Sequence, residues 1–109
     1  MTQPFIDFIS QSPSAYHTAE NVATSLEAAG FTRRALLDDD ATRPGGHLII
    51  SDGAVIAWWV PENPTPRFRV VGSHTDSPGL MAKPDPDVVR EGFRQVATEV
   101  YGGPILASW

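Results

Sequence analysis

His74 and Asp76 stand two residues apart in the stretch "FRVVGSHTDSPGL", Phe68 to Leu80. On an extended backbone residues i and i+2 project to the same face, which would set an imidazole beside a carboxylate where the apolar run ends. A neutral imidazole is a good zinc ligand, and its second nitrogen needs a hydrogen-bond acceptor to fix the tautomer. A carboxylate two residues along can be that acceptor or can orient another group. Gly72 leaves room for close approach, and Pro78-Gly79 stiffens the following turn. Stiffness matters because a group displaced by about an ångström loses much of its effect. Spacing alone leaves three readings open: a metal site, a catalytic pair, and an ordinary hydrogen-bonded turn.

The elements that must position this pair can be read outward from it. Phe68 to Ser73 has the composition of a buried strand, and in open α/β sheets ligands bind where such strands end. Upstream, Phe5, Ile6, Phe8 and Ile9 cluster on one side of a short helix within 2–11. Ser12 is the expected N-cap of a second helix, with Pro13 at its first position. Tyr16, Ala19, Val22, Ala23 and Leu26 then recur at helical spacing, and Gly30 supplies the stop. "HLIISDGAVIAWWV" spells strand, Asp52-Gly53 turn and strand, with Trp58 and Trp59 on opposite faces. "PENPTPR" carries three prolines and is irregular. After the Ser77–Gly79 turn, "LMAK" is a short extended piece ended by "KPDPD", and Phe93 to Tyr101 is one more strand before Gly102-Gly103. The order predicts a truncated α/β arrangement: two N-terminal helices, then a hairpin and strands of a mixed sheet.

Bulk composition narrows the function classes. At 109 residues one core is expected, and ten prolines with nine glycines imply much loop. Thirteen acidic against eight basic residues, with no basic run, argue against a nucleic-acid partner. The absence of cysteine excludes disulfides and thiolate metal sites. No secretory signal and no run long enough to span a membrane is present, which sets a soluble cytoplasmic protein as the expectation. The apolar ending "EVYGGPILASW", with Leu106 and Trp109, resembles a cut through a larger domain.

Other candidate side chains are read structurally. His17 is a partly exposed helix histidine, and His47, at the start of the hairpin, is a surface residue. Asp38, Asp39 and Asp40 lack the ligand spacing of a calcium loop and make a solvated acidic turn. Thr75 and Ser77 are turn-formers and backbone hydrogen-bonders, not nucleophiles. Glu99 is structural or site-adjacent.

Three phrases taken together carry a family resemblance. "VVGSHTDSPGLMAKPDP", "GFRQVATEVYGGPILASW" and the early "SPSAYHTAENVATSLEAAGF" closely resemble the M18 aspartyl aminopeptidases, in the family's order and over nearly the whole chain. The resemblance implies the start of a three-layer zinc-peptidase domain and a co-catalytic pair of Zn2+ ions. The implied reaction removes Asp or Glu from peptide N-termini. His74 matches the family's first metal ligand, and Asp76 matches the acid that supports it and serves catalysis. The bridging aspartate, the general-base glutamate and the other ligands would lie downstream, so the 109-residue piece is expected to be inactive by itself. By the same resemblance, residues 1–83 belong to the catalytic domain and 84–109 open the segment leading into an inserted dimerisation domain. Family members form homo-oligomers. Ala97-Thr98, where Gly-Val is usual, and Pro104 after the paired glycines are local departures.

Two rival readings remain at this level. One is a short non-catalytic relative that assembles with a full-length partner. The other is an unrelated module binding metal through His17 or His47 together with His74.

Overall fold

The structure, a computed structural model, describes residues 3–103. The chain forms two compact units, residues 1–75 and 76–109, and its class is α/β with a mixed sheet in the first unit.

The first unit opens with helix α1, Gln3–Ser10, whose apolar Phe5, Ile6 and Ile9 stay exposed. Helix α2 spans Ala15–Ala28. Its N-cap is Ser14, not Ser12: the Ser14 hydroxyl accepts from the His17 backbone N–H. Ser12 is occupied elsewhere, its Oγ accepting from Asn21 Nδ2 at 3.0 Å. Ser14 directly precedes Ala15, where the helix begins, and has the extended backbone of a cap (φ −146°, ψ 165°). The C-terminus follows expectation. Gly30, at φ +90°, donates to Glu27 O and Phe31 donates to Leu26 O, the paired bonds of a Schellman stop.

Phe31 leads into strand β1, Thr32–Arg33, which pairs parallel with β2, Gly45–Ser51; β2 pairs antiparallel with β3, Ala54–Val60. Strand β2 is therefore central, and Gly46, His47 and Leu48 are buried in succession. Ala19 and Ala23 of α2 complete a small core with Leu48, all three fully buried. Small residues on the helix let it approach the sheet closely. The aromatic expectation holds: the half-buried Trp58 donates its indole N–H to Ala41 O at 2.8 Å, while Trp59 lies outward against Phe31 with ring centroids 5.9 Å apart.

Gly46 makes room for the Phe31 ring. A Cβ there would stand 2.6 Å from Phe31 Cγ. Gly46→Ala must therefore push the ring off Trp59, and thermal unfolding should report a loss of about 1–3 kcal/mol.

Arg33 ties β1 to α2 through Glu20 at 2.7 Å and Glu27 at 2.9 Å. The hydrogen bond from Arg33, helped by its charge and opposed by desolvation, holds the Glu20 carboxyl below its ordinary range. A depressed carboxyl contributes stability above its unfolded pKa, and that contribution disappears as pH falls through the lower folded value. Arg33→Gln should flatten this acid limb of the stability–pH curve. The change should be small, since both partners are solvent-screened.

Two further expectations require correction. Phe68–Ser73 is not a strand: Phe68, Val70 and Val71 are 94%, 87% and 97% exposed, and no ladder partner exists among the described residues. Composition shows how a segment suits burial, but only a neighbouring strand makes it part of a sheet. In the second unit, "KPDPD" does not end the extended piece. Strand β4 runs Gly79–Arg90 and pairs antiparallel with β5, Phe93–Tyr101, with a register shift between Ala82 and Asp87. Pro84 and Pro86 have no N–H for the ladder, and a bulge is where a strand tolerates them. Asp85, at φ +54°, turns inside that bulge. Glu91 (φ +51°) and Gly92 (φ +82°) join the strands by the left-handed pair of a type I′ turn.

Pro104 and the apolar ending with Leu106 and Trp109 lie outside the described residues.

Candidate functional site

His74 and Asp76 belong to the segment that follows the Pro-rich connection. His74 is exposed near the end of the first unit, and the half-buried Asp76 opens the second. Between them, Thr75 Oγ1 donates to Gly53 O at 2.6 Å, fastening the segment to the β2–β3 turn. With no ladder partner for Phe68–Ser73 among the described residues, the position of His74 is not imposed by a strand ending. That hydrogen bond is an attachment the structure provides instead.

The other histidines occupy well-defined hydrogen-bonding roles. His47 is buried (2% exposed), which corrects its reading as a surface residue. Its Nδ1 accepts from Arg34 Nε at 3.2 Å and its Nε2 lies 2.7 Å from Arg43 O. Those partners require a neutral ring with the proton on Nε2, donated to the carbonyl. The ring also packs on Trp58, its cross-strand neighbour, with centroids 5.4 Å apart. Both nitrogens are used, which removes His47 as a metal ligand. "HLII" itself carried the missed signal, because consecutive apolar residues mark a strand buried on both faces. His17 is exposed on α2, with Nδ1 2.8 Å from Ser14 Oγ.

The acidic turn is held by arginines. Asp38 caps the 3-10 helix Asp39–Thr42, Arg34 lies 3.5 Å from Asp38, and Arg43 lies 2.8 Å from Asp40. Glu99, on β5, is exposed with Lys83 Nζ at 4.0 Å.

An imidazole and a carboxylate are suitable donor types for zinc. Their number is too small: no three His, Asp or Glu side chains converge among the described residues. A catalytic zinc takes three protein ligands. His74 thus fits as one ligand of such a centre and does not make one alone.

The described elements make an α/β fold with a mixed sheet. Residues 8–109 match the family model described as Aminopeptidase I zinc metalloprotease (M18). The chain belongs to the M18 family. It is 48% identical over 110 residues to a Streptomyces avermitilis protein named "Probable M18 family aminopeptidase 2", covering 99% of this chain and 26% of that protein. A Streptomyces coelicolor protein of the same name is 47% identical over 111 residues, with the same coverage. A chain in the cryo-EM structure of the Ape4 and Nbr1 complex superposes with a TM-score of 0.86 at 31% identity. The match covers 98% of this chain and 22% of that one. The chain thus spans about a quarter of the length of these relatives.

Proposed function

We propose that this chain is the N-terminal part of a zinc aminopeptidase that releases Asp or Glu from peptide N-termini. The observation that carries this reading is the family match over residues 8–109, which places the Gly-Ser-His-Thr-Asp-Ser-Pro phrase inside it. His74 would hold one of two zinc ions, and Asp76 would accept from the His74 ring, fixing its tautomer and raising its basicity. When bound, the zinc pair supplies polarisation of the scissile carbonyl and an acidified water. Residues up to about 83 would belong to the catalytic domain and 84–109 would lead into a dimerisation domain, although β4 itself runs across that point. The complete protein would be cytoplasmic and homo-oligomeric.

The test is hydrolysis of paired peptides differing only in an N-terminal Asp, Glu, Leu or Lys. The complete zinc-loaded protein should prefer the acidic pair, and equal rates on Leu or Lys would remove the specificity. The 109-residue chain should show no turnover with added zinc or cobalt. Turnover by that chain would overturn the placement of the remaining ligands outside it. A complete protein inactive on all four peptides would instead favour a non-catalytic relative.

A further inference from the structure

We propose that Thr75 is a positioning residue for the metal-binding segment, acting through its hydroxyl on the Gly53 carbonyl; this rests on the reading of His74 as a zinc ligand. The Thr75 Oγ1 to Gly53 O distance of 2.6 Å is at the short end for O–H···O bonds. The acceptor sits on a firm support. A Cβ built at Gly53 would stand 2.9 Å from Ala15 Cβ and 3.4 Å from the Ala15 carbonyl carbon, so the β2–β3 turn lies against the first turn of α2. Thr75 therefore anchors His74, one residue away, to the helix–sheet packing of the first unit.

The segment leading to Thr75 is irregular. It arrives through Pro61–Pro66, which is irregular, and through Phe68–Ser73, which has no strand partner among the described residues. Gly72, two residues before His74, has nothing within 4 Å of a Cβ built on it. A hydroxyl whose donor direction is fixed by a backbone carbonyl limits the travel of the adjacent imidazole, and about an ångström of displacement costs a reacting group up to ~10²-fold.

The test uses the complete protein carrying Thr75→Val, which keeps the shape and removes the donor, beside Thr75→Ser, which restores it. Zinc retention against a chelator, kcat and KM on an Asp-peptide, and Tm are measured for both, with His74→Ala alongside. Thr75→Val is expected to release zinc about tenfold more readily and to lower kcat about tenfold with KM little changed; Thr75→Ser recovers both. Unchanged zinc retention and kcat in Thr75→Val would overturn the proposal. So would losses that Thr75→Ser fails to recover, or a fall in Tm with zinc retention intact. If His74→Ala itself keeps zinc and activity, the ligand reading fails and not the anchor alone; Tm and amide hydrogen exchange over residues 72–75 then decide whether the bond positions the segment.

Discussion

Replacing His74 with alanine in the complete protein should lower kcat by about a thousandfold and reduce bound zinc. The magnitude follows from the chemistry. A zinc ion contributes several kcal/mol of transition-state stabilisation, and each 1.36 kcal/mol is tenfold in rate. Loss of one ligand from a set of three weakens the whole site, because the ligands hold the ion together in a fixed geometry. Asp76→Asn should have a milder effect, about 10–100-fold, since an amide can still accept a hydrogen bond from the ring but cannot raise its basicity. Metal analysis and steady-state kinetics on the two variants check this order. Normal zinc and normal rate in His74→Ala would remove the basis of the functional reading.

The second large effect falls on stability. Leu48→Ala should destabilise the first unit by about 3–5 kcal/mol, measured by denaturant unfolding at constant m. Leu48 is fully buried in the central strand, among α2 alanines that have no atoms to move into the space left behind. Folding free energies of whole domains are about 5–15 kcal/mol, so a loss of this size removes a large share of the stability available. A loss under about 1 kcal/mol would show that the site collapses and that the core is less rigid than its packing indicates.

His47 shows how a candidate site can be misjudged from residue type. Its neighbours in sequence are Gly46 and Leu48, and nothing in that pattern names Arg34 or the Arg43 carbonyl as partners. Those partners come from the loop between β1 and β2, brought over the strand by the 3-10 helix and its Asp38 cap. The acidic run was legible as a turn, yet its pairing with Arg34 and Arg43 was not, because ion pairing depends on where the arginines fold.

Local chemistry was sufficient for the helix stop at Gly30, the Asp52-Gly53 turn, the two opposed tryptophans and the Phe93–Tyr101 strand, since each depends on residues within a few positions. The three family phrases, taken in order along the chain, likewise placed it among the M18 proteins from sequence alone. Tertiary structure decided what depends on distant partners: Ser14 over Ser12 as the cap, burial of His47, passage of β4 through its prolines, and the lack of a ladder partner for Phe68–Ser73 among the described residues. A cap, a buried polar ring and a β-ladder each need a matching group far along the chain, and the energy of that match is not encoded in either segment alone.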